Sequence, residues 1–280
     1  RGFGCSVPAI LSTRRIETRS DRLVTIAVLP MMSCAGRLPI YMMFVSALFP
    51  SRLQAPVLFG IYASGVLLAL CCARLLKNTL FKAPQRDSLH HMKRLRLPSL
   101  RKVGILMWSR AFMYVRKAGT FILGASIILW FLNTYPRPEE NTAPTNAAAM
   151  EHSYAGQIGH WMEPVTQVAG FDWKINSALV GAFAAKEIFV TQMGILYAVE
   201  DGNSGPAAQQ TLNARLKASY TPLQGISIMI FCLIALPCIG TVTVAKREAG
   251  TWWFALAQFG GLTLLGFATA TLIYQAGLLL

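Results

Sequence analysis

Long runs without Asp, Glu, Lys or Arg divide this chain, and their lengths predict its elements. Residues 53–73, 118–136, 218–245 and 249–280 carry none of these side chains. About 20 apolar helical residues cross a bilayer. Each run therefore predicts a transmembrane helix, and the last two are longer than one crossing requires. Two further apolar segments are interrupted by charge near their middles. Residues 23–51 contain Arg37, flanked by Pro30 and Pro39, and residues 175–199 contain the adjacent pair Lys186 and Glu187. Breaks at membrane depth are tolerated only where neighbouring helices or water satisfy the freed backbone groups. The expected fold class is all-α, a polytopic transmembrane helix bundle with two interrupted, gate-type segments. No helical-repeat period is present.

Composition supports a membrane solvent. The chain is 54% hydrophobic and 14% charged, where a soluble domain carries about 25% charged residues. A soluble enzyme is excluded. Lys and Arg number 26 against 12 acids, a balance that would suit a nucleic-acid partner if it were spread over a surface. It is not: 11 of the 26 fall within residues 77–117, beside the single acid Asp87. A basic cytoplasmic loop of a polytopic protein explains this better, and no nucleic-acid partner is expected.

The same rule orients the chain. Residues 77–117 should be cytoplasmic, as should the loop bearing Arg14, Arg15, Arg19 and Arg22. Residues 134–172 hold Arg137 against Glu139, Glu140, Glu151, Glu163 and Asp172, and should lie outside. Lys246 and Arg247 favour the cytoplasm, which requires residues 175–199 to re-enter; crossing is the other option. The expected division is 1–76, a first gate region with two spans; 77–117, the basic loop; 118–133, a span; 134–172, the external loop; 173–200, a second gate segment; 201–221, a connection; and 222–280, two C-terminal spans. Within the basic loop, Pro98 at a first helical position precedes Leu100, Val103, Leu106, Met107, Phe112, Met113 and Val115. This reads either as an interfacial helix on an anionic leaflet or as a solvated helical linker. Residues 143–149 read as an external loop and 202–206 as a turn-rich break. The chain begins at Arg1 rather than Met, as expected of a piece of a longer protein.

Chemistry concentrates at the interruptions. A charge at a helix centre costs about 2.5–3.5 kcal/mol on insertion scales, so Lys186, Glu187 and Arg37 each need a partner or a water-filled cavity. Lys186 and Glu187 diverge by about 100° if helical, and need not pair. They could equally be bridges that lock two helices, and Arg37 could simply cap carbonyls. Cys238 follows Pro237, Cys5 precedes Pro8, and Cys34 follows Met31-Met32-Ser33, so soft donors sit beside flexible or broken backbone. Each could also be a small packing residue. Cys71 and Cys72 read as ordinary helix residues, and all six cysteines as reduced thiols. His90, His91, His152 and His160 read as solvated loop residues. The chain has no GxxxxGK[ST], HExxH or GxSxG motif and is expected to be a transporter portion, not an enzyme.

Four groups of residues together resemble a known family. Gly4-Cys5-Ser6-Val7-Pro8-Ala9 with Arg14, Asp21-Arg22-Leu23 and Met32-Ser33-Cys34-Ala35-Gly36-Arg37-Leu38-Pro39 resemble the first gate region of ferrous iron transport protein B (FeoB). Gly181-Ala182-Phe183-Ala184-Ala185-Lys186-Glu187 with Leu196-Tyr197 resembles the second gate. Pro237-Cys238-Ile239 and Lys246-Arg247-Glu248 resemble the late proline–cysteine helix and its loop. The resemblance spans essentially the whole chain and implies the permease portion of a bacterial inner-membrane Fe²⁺ importer. Fe²⁺ is then the transported substrate, with Cys5, Cys34, Cys238 and Glu187 as its ligands. Lys186, Arg37, Pro8 and Pro237 take gating or structural roles. GTP and Mg²⁺ would act through a GTPase domain upstream. The implied partners are that domain, membrane lipids, small cytoplasmic accessory proteins of iron uptake, and a second copy of the chain. The family's two gates are regarded as related in inverted topology, matching one interrupted segment per half. The short connection 200–220 departs from members with a long insertion there. A nucleoside or other organic-solute transporter with the same gates, or a non-transporting membrane scaffold, would explain the charges but has no need of thiols at the breaks.

Overall fold

The computed structural model describes residues 3–79, 99–136, 151–197, 206–235 and 237–279. The expected loop at 143–149, most of the turn-rich break at 202–206, Pro98, His90, His91 and Arg137 lie outside the described residues. All regular structure among the described residues is helical. In chain order the helices are α1 (Ser6–Ser12), α2 (Arg19–Val28), α3 (Leu38–Leu48), α4 (Ser51–Thr79), α5 (Leu100–Thr134), α6 (Tyr154–Thr166), α7 (Trp173–Ala184), α8 (Lys186–Tyr197), α9 (Pro206–Ser219), α10 (Pro222–Ile234), α11 (Ile239–Ala249) and α12 (Trp252–Leu279). Short 3₁₀ turns at Leu29–Met31 and Ala35–Arg37 lie between α2 and α3.

Among the described residues, four stretches are long and apolar enough to cross a membrane: Arg19–Leu48, Ser51–Thr79, Pro222–Ala249 and Trp252–Leu279. The chain is a membrane protein. Two of these stretches are broken, and they are the interior ones: 44% and 59% of their apolar windows are buried, against 17% for each unbroken helix. Broken backbone is thus surrounded by protein, while lipid meets continuous helix, as unsatisfied amides in hydrocarbon require. The run at 218–245, which carries no charge, is also broken among the described residues, at the proline beside Cys238 where broken backbone is expected. Helix α5 starts at Leu100, with Ser99 as N-cap, and runs unbroken to Thr134, leading from the expected interfacial stretch into the residues after Ala118.

Polar contacts fix which ends lie together. Glu248, at the end of α11, pairs with Arg14 (2.6 Å) and Arg22, and Lys77 at the end of α4 pairs with Asp21 at 3.0 Å. These groups share the end that the positive-inside rule assigns to the cytoplasm. At the other end, the Tyr197 hydroxyl lies 3.0 Å from that of Tyr220, which donates to Asp172 at 2.9 Å. The start of α7 and the end of α8 therefore lie together, and the two helices form a hairpin with its apex at Ala185. Gln275 near the end of α12 donates to the Val168 carbonyl at 2.8 Å, joining this group.

Close packing holds the broken span to its neighbour. A Cβ built on Gly266 of α12 would lie 2.7 Å from the Ala235 Cβ, so only glycine lets α12 meet the break after α10. Nearby, the buried Ser227 hydroxyl donates to the Ala169 carbonyl at 2.7 Å. The topology carries a direct expectation: a cysteine placed at Asn146 reacts with a membrane-impermeant thiol reagent from outside intact cells. Labelling of that position only after the cytoplasmic face is opened would overturn the orientation.

Candidate functional site

Three chain breaks meet in the interior. The first separates α2 from α3, where Cys34 is extended (φ −87°, ψ 164°) before the turn Ala35–Arg37. The second is Ala185, extended between α7 and α8 (φ −150°, ψ 133°). The third runs from Ala235 (φ −79°, ψ 170°) to Cys238 (φ −61°, ψ 154°). Pro237 explains the last, since without an N–H it cannot donate the helical hydrogen bond to the Leu233 carbonyl, and its ring opposes that carbonyl. Pro8 has no such effect, because it lies in the first turn of α1, where the N–H has no helical acceptor anyway.

The adjacent pair Lys186 and Glu187 divides between the other two breaks. The Lys186 ammonium is buried and donates to the Cys232 carbonyl at 3.2 Å and the Ala235 carbonyl at 3.3 Å, capping the end of α10. Such terminal carbonyls have no partner within their helix and carry its negative dipole end. Glu187 turns the other way, to the first break. A Cβ on Gly36 would lie 2.7 Å from its Oε1, so the absence of a side chain at Gly36 makes room for the carboxylate. Arg37, 1% exposed, donates from Nη1 to the Met32 carbonyl at 3.1 Å. Both buried cations therefore satisfy carbonyls freed by helix interruption.

The thiols fall into two classes. Cys5, Cys34 and Cys238 are each the extended N-cap residue of a helical segment. Cys71 and Cys72 lie inside α4 and Cys232 inside α10. The backbone brings the first class towards one place. The Ala35 N–H donates to the Gly4 carbonyl at 3.0 Å, tying the Cys5 strand to the Cys34 break. Helices α1 and α11 pack side by side, with Val7 Cγ2 3.8 Å from a Cβ built on Gly240, and the Arg14–Glu248 pair joins their far ends. They run parallel, which places Cys5 and Cys238 at corresponding N-terminal positions of two neighbouring half-helices. The Cys238 thiol lies 3.2 Å from the Thr241 hydroxyl. Among the described residues no three His, Cys, Asp or Glu side chains gather as a closed metal cage.

Several contributors have little signature in the sequence. Gln258 of α12 donates to the Ile26 carbonyl at 2.7 Å, near the end of α2; within an uncharged run it reads as one polar residue among many. Glu248 is quoted in a motif, yet its pairing with both Arg14 and Arg22 depends on the fold. Asp172 caps α7 by accepting the Ile175 N–H at 2.9 Å. Burial pushes its carboxyl above the usual range, opposed by that bond and by the Tyr220 hydroxyl. His160 is not in a loop: it lies on α6, stacked on Trp173 at 4.8 Å and beside Glu163 at 3.3 Å.

Comparison with known sequences places this architecture. The family model described as ferrous iron transport protein B C terminus matches residues 58–110, and the one described as Gate, nucleoside recognition, matches residues 115–252. An Fe(2+) transporter FeoB of Campylobacter jejuni is 37% identical over 92% of this chain and 42% of its own length. One from Methanocaldococcus jannaschii is 36% identical over 100% of this chain and 41% of its own. A Porphyromonas gingivalis protein named Fe(2+) transport protein A/Fe(2+) transporter FeoB fusion protein is 36% identical, over 99% of this chain and 37% of its own length. The chain thus spans about two-fifths of the relatives it matches. No solved structure matches it.

Proposed function

Because the chain belongs to the ferrous iron transport protein B family, we propose that it is the membrane permease portion of an Fe²⁺ importer. The observation that carries this reading is the pairing of broken backbone with soft donors: Cys5, Cys34 and Cys238 at extended N-caps, with Glu187 turned onto Gly36 two residues after Cys34. Fe²⁺ accepts thiolate and carboxylate ligands, whereas Mg²⁺ and Ca²⁺ prefer oxygen alone. Passage along such donors exchanges water for protein ligands in steps, and each contact is weak enough to release the ion. Lys186 and Arg37 hold the breaks open from the protein side, and Pro237 fixes the third break.

In this reading the whole protein resides in the bacterial inner membrane and controls permeation through a GTPase domain upstream, which uses GTP and Mg²⁺. A small accessory protein of the kind fused in the Porphyromonas gingivalis relative is the expected cytoplasmic partner. The match to a model described as nucleoside recognition favours a second reading, an organic-solute transporter. The intact protein in proteoliposomes decides between them. Expected is Fe²⁺ uptake under reducing conditions that excess nucleoside leaves unchanged. Uptake of nucleoside without Fe²⁺ would establish the second reading, and uptake of neither would leave a scaffold.

A further inference from the structure

A buried lysine without a carboxylate is the least expected feature of this interior. Among the described residues no Asp or Glu oxygen lies within ion-pair distance of Lys186, and its resolved partners are the backbone carbonyls of Cys232 and Ala235, at 3.2 and 3.3 Å. Those carbonyls belong to a half-helix that ends at the Pro237 break, where the dipole end amounts to roughly half a negative charge. In transporters built on broken helices, such unwound carbonyls and half-helix C-termini seat alkali cations. Here an ammonium occupies the seat. Its stem comes from α8, directly after the extended Ala185, so the hairpin delivers the charge.

We propose that Lys186 is a tethered cation filling what would otherwise be an alkali-ion site at the end of α10. Its covalent attachment makes the seat permanently occupied. The break keeps its geometry without sodium or potassium. Lys186 is thereby a positioning residue: it acts on the pathway through the carbonyls of Cys232 and Ala235, which set the approach to Pro237 and Cys238. A role as a mere helix-locking contact predicts no link between this side chain and the identity of the salt.

The inference rests on the transport reading for one of its two measurements only. The first is thermal unfolding of the intact protein in detergent, in sodium, potassium or choline chloride at equal ionic strength. A ligand that binds only the folded state raises its unfolding temperature. The parent should unfold at the same temperature in all three salts. Lys186→Met and Lys186→Gln should unfold earlier in choline and regain stability in sodium or potassium, and Lys186→Arg should behave as the parent does. The second is Fe²⁺ uptake in proteoliposomes, where the Met and Gln variants should gain at least fivefold on replacing choline by sodium or potassium. If neither variant responds to an alkali cation in stability or uptake, or if the parent's own unfolding temperature depends on one, the proposal is overturned. A parent that takes up no Fe²⁺ would refute the transport reading, and the unfolding measurement would still decide this one.

Discussion

Replacing Glu187 by Gln should lower Fe²⁺ uptake about tenfold or more, with insertion and folded yield unchanged. Loss of even an outer partner of a metal ligand typically costs 10–100-fold, and the carboxylate stands closer than that in the proposed path. The geometry separates this from structural damage. Glu187 is exposed and faces Gly36 with no ion pair among the described residues, while the neighbouring Lys186 is buried and holds the end of α10. Gln has the same shape and fits the space that Gly36 leaves. What it removes is the negative charge beside the first break, the feature of the proposed path that attracts a divalent cation. The measurement is Fe²⁺ uptake at matched expression, with size-exclusion behaviour in detergent as the control for folding. Unchanged uptake would reduce Glu187 to a packing residue, and loss of the folded protein would assign it to stability.

The bundle itself is legible in the sequence because bilayer crossing imposes a length and a polarity that few other constraints mimic. Arg37, Lys186 and Glu187 are legible for the same reason, as charges where charge is costly. Their partners are not. Lys186 finds its carbonyls 46 and 49 residues away, and Arg14 finds Glu248 at a separation of 234, distances over which no periodicity carries information. The break at Pro237 is legible only in part. A proline within an uncharged run can kink a helix or end it, and only the packing of Gly266 on Ala235, with the Lys186 cap, decides for an end. The hairpin of α7 and α8 likewise depends on Tyr220 meeting both Tyr197 and Asp172. Loop charges pose that choice without resolving it.

Serine at Cys5 or at Cys238 should each weaken Fe²⁺ uptake several-fold, because a hydroxyl is a poorer ligand for Fe²⁺ than a thiolate. The two residues are distant in sequence, yet α1 and α11 lie parallel and in contact, each starting at its cysteine from an extended backbone. Isosteric replacement leaves both N-caps intact and even improves them, since serine is a preferred N-cap residue. Lost uptake would therefore reflect lost ligation rather than lost structure. Cys71 and Cys72 provide the internal comparison, being thiols of the same chain within the continuous helix α4. The deciding measurement is Fe²⁺ uptake by the four single Cys→Ser variants of the intact protein, at matched expression. Loss at Cys5 and Cys238 with parental uptake at Cys71 and Cys72 is the expected result. Parental uptake in all four would mean that the thiols only pack and that oxygen ligands alone carry the metal.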